Sequence, residues 1–185
     1  MSLYSPLPAP SAVRLRPATV GDADLLAGWD REPHVIAGST DDPEADIAFG
    51  GLQWREALEA QSDVSFYRIA EVDGRPIGVM QVIDPHREPE HYWGDIEPNL
   101  RALDIWIGPK DALGHGYGTR MMTLAVNDCF ADPAVPAIVI DPLASNLDAH
   151  RFYRRLGFQP VEGRMFDQDD CLVHRLERAA WEARS

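Results

Sequence analysis

Apolar and basic positions alternate over Val13-Arg14-Leu15-Arg16 and the run meets Pro17, which predicts a first strand. The period then lengthens. Ala23, Leu25, Leu26 and Trp29 fit a helix that Thr19 or Asp22 can cap and that ends before Pro33. Residues 34–44, polar and broken by Gly38 and Pro43, read as a loop. Asp46 to Gln61, with Ile47, Leu52, Trp54, Ala57 and Leu58, reads as a second helix despite Gly50 and Gly51.

Period two returns in Phe66–Val72, and Asp73-Gly74 is a tight-turn pair leading to a hairpin partner over Pro76–Val82. A long polar stretch rich in proline and acids runs from Asp84 to Arg101. Ala102 to Gly108 is then apolar enough for a buried strand, apart from Asp104. Met122, Ala125, Val126, Cys129 and Phe130 share one face of a helix predicted from Gly116 to Phe130. Ala137–Ile140 is a short central strand that ends at Asp141-Pro142. Ser145-Asn146-Leu147-Asp148 has the form of a capping box opening a helix to Leu156, and Gly157 can stop it. Phe158-Gln159 and Asp170–Arg175 supply the last strands. This order predicts an α/β fold: a single domain over 12–185 with a mixed central β-sheet and helices on both faces, preceded by an N-terminal arm over 1–11.

Composition narrows the function classes. The chain has 185 residues, with 45% hydrophobic and 25% charged, which suits one globular domain. No apolar run approaches the ~20 residues of a membrane helix, and the uncharged start MSLYSPLPAPSA lacks the basic opening of a secretory signal. A cytoplasmic protein without a membrane partner is expected. The net charge of −13, with Lys110 the only lysine, disfavours a nucleic-acid partner. Between Gly21 and Asp63 eleven acids face only Arg31 and Arg55, which is either a solvated acidic face or a surface that gathers a polycation. Cys129 and Cys171 are far apart and the six histidines form no ligand pair, so neither a disulfide framework nor a metal site is expected.

The stretch Leu113-Gly114-His115-Gly116-Tyr117-Gly118-Thr119 lies between a buried strand and an amphipathic helix. Alternating glycines let the backbone fold closely round a ligand, and a helix start carries about +0.5 charge, so a pyrophosphate can sit there with little help from side-chain cations. Because this strand is late in the chain, the loop does not open a dinucleotide-binding βαβ unit. Asp104 on its apolar strand is a candidate proton acceptor, or else a strand-end aspartate bonded to backbone. Tyr153 is a candidate proton donor, or else an amphipathic core residue.

Taken with the segment Asp141 to Phe158, the loop resembles the GCN5-related N-acetyltransferase (GNAT) family. Asn146, Ala149, Tyr153, Gly157 and Phe158 match the family's N-x-x-A-x-x-x-Y-x-x-x-G-F spacing, while Leu113 stands where the family has Arg or Gln. The resemblance implies acetyl-CoA as co-substrate, its pyrophosphate held by Gly114, His115, Gly116, Gly118 and Thr119. It places Asn146 and Tyr153 beside the pantetheine arm and thiol, with a backbone oxyanion donor near Ile107. Within the family, Trp93 to Phe158 is most similar to the aminoglycoside 6′-N-acetyltransferases. That implies Asp104 as base on the attacking amine, Tyr153 as acid on the leaving thiolate, and Asp141 holding a neighbouring ammonium. Trp93, Asp95 and Glu97 either offer an aromatic face beside carboxylates to the acceptor or form an ordinary surface loop, and Arg151, Arg154 and Arg155 are candidates for the cofactor's 3′-phosphate or else a solvated helix face, the commoner case. The partner is then a small-molecule amine, the protein a monomer or homodimer. A siderophore-precursor or protein N-terminal acyltransferase, or a non-catalytic acyl-CoA-binding module, is the alternative.

Overall fold

A computed structural model describes residues 12–184, and the arm expected over 1–11 lies outside the described residues. The chain forms β1 (Val13–Pro17), α1 (Ala23–Trp29), α2 (Pro33–Ser39), α3 (Trp54–Glu59), β2 (Ser65–Val72), β3 (Arg75–Ile83), β4 (Arg101–Ile107), α4 (Tyr117–Phe130), β5 (Ala137–Ile140), α5 (Leu147–Arg155), β6 (Gln159–Phe166), β7 (Asp169–Glu177) and α6 (Arg178–Glu182). The strands make one seven-stranded sheet in the order β1-β2-β3-β4-β5-β7-β6. Every neighbouring pair is antiparallel except β4 and β5, which are parallel and joined through α4. The mixed sheet expected from the pattern is therefore present.

Alternation along the strands sorts the core into two faces. On one face Leu103, Ile138, Ile140 and Leu176 pack with Met121, Met122, Val126, Tyr153 and Phe158 from α4, α5 and the turn after it. The other face carries two separate clusters. Trp29, Trp54, Leu58, Tyr67 and Val79 gather under α1 and α3, while Trp93, Ala102, Val139, Phe166 and Val173 gather under the segment that joins β3 to β4. Cys129 and Cys171 are buried thiols in different clusters. Each fully buried large apolar side chain contributes about 1.5–3 kcal/mol by leaving water. The strip of sheet between the two clusters stays open.

β4 and β5 pair over two residues only, Arg101 with Ile138 and Ala102 with Val139. β5 ends after Ile140, and Pro142 has no N–H to continue a ladder. The chain then follows β7 instead: Leu172 N–H bonds the Pro142 carbonyl at 2.9 Å and Leu143 lies opposite Cys171. Leu103 to Ile107 are thus left without a strand on that side, and the sheet splays into a wedge.

Two helical expectations need correction. Residues 34–44 are not all loop, because α2 starts at Pro33, whose fixed φ suits a first helical position. The helix expected over Asp46–Gln61 is broken into a short 3-10 turn (Ala48–Gly50) and α3. Phe49, Gly50 and Gly51 are all left-handed, at φ 54°, 63° and 76°. Asp30 imposes the break: its carbonyl accepts Ala48 N–H at 2.8 Å and its buried carboxylate accepts Trp54 Nε1–H at 2.6 Å. The helix cap also shifts. Asn146, not Ser145, accepts the first free amide of α5, from Ala149 at 3.0 Å, and Ser145 donates instead to Asp41 at 2.6 Å.

The end of β4 is fixed by a close approach, since a Cβ on Gly108 would lie 1.9 Å from the Trp29 ring. Gly108→Ala is expected to cost at least about 1–3 kcal/mol through overpacking. Gly28→Ala, at a helical glycine with nothing within 4 Å of an added Cβ, is expected to be neutral or stabilising by up to about 1 kcal/mol. Urea unfolding of both variants checks the contrast, and equal stabilities would contradict the packing described.

Candidate active site

The wedge between β4 and β5 continues into a cleft of about 1710 Å³. Single-ligand pockets enclose roughly 300–1,000 Å³, so this one has room for two reactants. Its lining joins the glycine loop at one end to Asp104, Asp141 and Tyr153 in the middle and to α2 and the Phe49 turn at the other.

At the first end, Gly114 and Gly116 take left-handed φ of 78° and 75°, and Gly116 is the residue that caps α4. The amides of Tyr117, Gly118 and Thr119 form the unpaired first turn of a 14-residue helix. Gly114, Gly116, Gly118 and Thr119 all line the cleft, as does Leu113. The residues present fit a pyrophosphate: backbone donors, a positive helix end, and no carboxylate in the first turn. His115 is exposed and stacks on Tyr117 at 5.6 Å; it is not part of the lining. Arg151 and Arg155 lie at the cleft, with Arg151 paired to Asp148, while Arg154 is outside it.

The middle of the cleft is built by β4. Gly108 N–H bonds the Ile77 carbonyl at 3.1 Å, and Gly78 lies opposite Ile107. By the alternation of an antiparallel ladder, the amides and carbonyls of Ile105 and Ile107 point away from β3, into the wedge. Ile107 therefore lies on an open strand edge.

Asp104 sits on the opposite sheet face from Leu103, between the two clusters described above and across from Gln81 of β3. Burial pushes its carboxyl up to about 7, with further pressure from Asp141 and Glu88. Asp141, just past β5, is raised by burial too, and Tyr92 Oη–H donates to its Oδ2 at 2.7 Å. Glu88, 7% exposed, is raised by burial and accepts Trp93 N–H at 3.2 Å. Two carboxyls that repel one another in a poorly hydrated site cannot both ionise cheaply near neutral pH. Two nearby cations are paired elsewhere, Arg101 with Asp84 and Asp132 and Arg175 with Glu97 and Glu177, while Arg164, bonded to the Trp93 carbonyl at 2.8 Å, offsets part of the negative charge at Asp141. Tyr153 enters from α5 on the other sheet face, 8% exposed, with its phenol held protonated by burial and by Asp104 and Asp141. Asn146 lines the cleft with its Oδ1 occupied by the α5 cap.

Two of the three expected acceptor contacts lie outside the cleft, and the third borders it as a buried ring. Asp95 and Glu97 line a small separate hollow, where Glu97 pairs with Arg175 at 2.7 Å. Trp93 borders the cleft but is 2% exposed and packs its ring on Phe166 at 5.2 Å, so most of it belongs to the core. The aromatic ring facing the cleft there is Tyr92, 43% exposed and stacked on Phe166 at 4.6 Å. Tyr92 and Glu88 were missed. Both fall in the polar stretch rich in proline and acids between Asp84 and Arg101, but only the fold shows which of its residues turn inward. Among the described residues no group of His, Cys, Asp and Glu could hold a metal ion, and no helix is long and apolar enough to cross a membrane.

Comparison with known proteins matches this architecture. The family model described as an acetyltransferase (GNAT) domain covers residues 19–166. An aminoglycoside N(6′)-acetyltransferase type 1 of Klebsiella pneumoniae is 30% identical over 174 residues, spanning 92% of this chain and 86% of the relative. A lysine N-acyltransferase of Mycolicibacterium paratuberculosis is 26% identical over 146 residues, spanning 77% of this chain and 63% of that protein. Among solved structures, aminoglycoside acetyltransferase AAC(6′)-Ib in complex with coenzyme A and kanamycin superposes with a TM-score of 0.80 at 28% identity, covering 94% of this chain and 100% of the other. With the family model spanning most of the chain, and the wedge, glycine loop and Asn-Tyr helix assembled round one cleft, this protein belongs to the GNAT family of acetyltransferases.

Proposed function

We propose that this enzyme transfers the acetyl group of acetyl-CoA to a primary amine of a cationic small molecule, the 6′-amino group of an aminoglycoside. It does so in the cytoplasm, as a monomer or homodimer. The observation that carries the acceptor class is the set of three inward carboxyls, Asp104, Asp141 and Glu88, all raised by burial although Arg164 offsets part of the charge at Asp141, while Arg101 and Arg175 are paired elsewhere. An acceptor with several ammonium groups supplies the missing charge, and each ammonium that enters lowers the carboxyls' proton affinity. The glycine loop and first turn of α4 hold the pyrophosphate, and the relatives with coenzyme A and kanamycin support the same pairing of ligands.

The chemistry follows from the two faces of the sheet. The acceptor ammonium gives its proton to Asp104, directly or through one water, and the freed nitrogen attacks the thioester carbon. The carbonyl oxygen collects negative charge, which the Ile107 N–H on the open edge stabilises. As the C–S bond breaks, the Tyr153 phenol protonates the sulfur, the nitrogen's second proton passes to the resulting phenolate directly or through water, and Asp104 returns its proton to solvent. The products are the acetamide and free CoA thiol. Asp104 lies near pH 7 and can both accept and release a proton at neutral pH, a position that gives general-base catalysis its usual 10²–10⁴-fold gain.

Turnover is measured by thiol release against kanamycin, spermidine, lysine and a peptide N-terminus. Kanamycin is expected to be the best acceptor, and a neutral or anionic acceptor in that place would sink the reading. Asp104→Asn is expected to lower kcat/KM by roughly 10²-fold or more and Tyr153→Phe to lower kcat, each with the acetyl-CoA Kd nearly unchanged. In the parent, kcat/KM should rise with pH through about 7 as Asp104 loses its proton.

Stability reads the same carboxyl without any acceptor. The folded state keeps a proton on Asp104 that the unfolded chain releases near the ordinary carboxylate pKa of about 4. This contribution to stability is fully present below about pH 4 and is lost as pH rises toward 7. Asp104→Asn lacks that loss, so its Tm advantage over the parent should be smallest at pH 4 and largest at pH 8. A difference that stays constant with pH would show that the site does not strain this group.

A further inference from the structure

We propose that His34 is a positioning residue: it occupies the last carbonyl on the open edge of β4 and so sets where the acetyl-CoA arm can pair with that strand. The proposal rests on the acetyl-transfer reading above. His34 is the second residue of α2, and its Nε2 lies 2.9 Å from the carbonyl oxygen of Ile107. A carbonyl can only accept, so Nε2 carries the ring proton in the neutral imidazole. The peptide between Ile107 and Gly108 is then held at both ends, its oxygen by His34 and its N–H by the Ile77 carbonyl at 3.1 Å. Gly108 is pinned under Trp29, and the Ile107 side chain reaches to 4.0 Å from the Cβ position at Gly118.

This leaves an unequal edge. Ile105 offers both its amide and its carbonyl to the wedge, whereas Ile107 offers only its amide. The pantetheine arm carries amides of its own and must run from the glycine loop past Ile107 to reach Asp104 and Tyr153. Were the Ile107 carbonyl free, the arm could pair with β4 in a second register, displaced by two residues or about 6.6 Å. His34 removes that register, so the thioester comes to rest at one depth in the wedge. The same imidazole also fixes the acceptor side, because Val35, Gly38 and Ser39 of α2 line that end of the cleft. One hydrogen bond therefore sets the acceptor wall against the strand that carries the oxyanion donor.

The test uses His34→Ala and His34→Gln in the full chain. A glutamine side-chain N–H can reach the same carbonyl, so it should restore what alanine loses. His34→Ala is expected to lower kcat by about 10- to 100-fold, the scale of an ångström-level misplacement of reacting atoms. The Kd for acetyl-CoA, read by calorimetry, should stay the same or tighten, since a carbonyl is freed. His34→Gln should return kcat to within a few-fold of the parent. In the parent, imidazole ¹⁵N NMR should show the Nε2-protonated tautomer. An unchanged kcat in His34→Ala, a loss that glutamine does not restore, weaker acetyl-CoA binding in proportion to the lost rate, or the opposite tautomer would each overturn the proposal. A parent that transfers to no acceptor would sink the acetyl-transfer reading itself, and the affinity and tautomer measurements need no acceptor.

Discussion

The structure depends on a parallel strand pair that is abandoned after two residues. β4 and β5 hold together only at Arg101–Ile138 and Ala102–Val139, and from there the ladder that would normally satisfy the backbone of Leu103 to Ile107 is missing. Unpaired backbone groups in a protein interior are costly, so an edge of this kind is retained only where something else uses it. Pro142 and the pairing of Leu143 with Cys171 draw the chain away toward β7, while Gly108 under Trp29 holds the far end of β4 in place. The resulting wedge admits a reactant from the α4–α5 face and exposes it to a second one on the other face. On the proposed reading, this geometry would separate cofactor and acceptor by the sheet.

Electrostatics then divides the cleft. The glycine loop end is built from backbone donors and a helix start, which suits an anion in a chain whose formal net charge is −13. The middle of the cleft has Asp104, Asp141 and Glu88, all raised by burial, with Tyr92 supplying one neutral hydrogen bond to Asp141. With its carboxyl raised to about 7, Asp104 is partly protonated near neutral pH, and an entering cation favours loss of that proton. Burying these carboxyls costs the empty protein stability, and on the proposed reading an entering ammonium offsets that cost.

Much of this was legible along the chain because it is local. The hairpin over residues 66–82, the glycine loop and the helix of Tyr153 are short patterns in which turn chemistry, capping and hydrophobic period agree. The resemblance carried by Asn146, Tyr153 and Gly157 extended those patterns to an activity. What was not legible depends on partners distant in sequence. Asp30 breaks the helix expected over 46–61 by bonding Ala48 and Trp54. Arg175, 78 residues away, takes Glu97 out of the expected acceptor site. Trp93 and Tyr92 are neighbours, yet Phe166 buries the first and leaves the second facing the cleft. Periodicity has no means of assigning such inward and outward turns within an irregular segment of proline and acids.

The central claim is that the acceptor end of the cleft holds a proton which a cation replaces. Calorimetry of kanamycin binding to the enzyme–CoA complex near pH 7, repeated in buffers of different ionisation enthalpy, measures that exchange directly. The parent should release more protons on binding than Asp104→Asn does, because the entering ammonium lowers the carboxyl pKa. Equal proton release by the two proteins, or net uptake by the parent relative to the variant, would contradict the account.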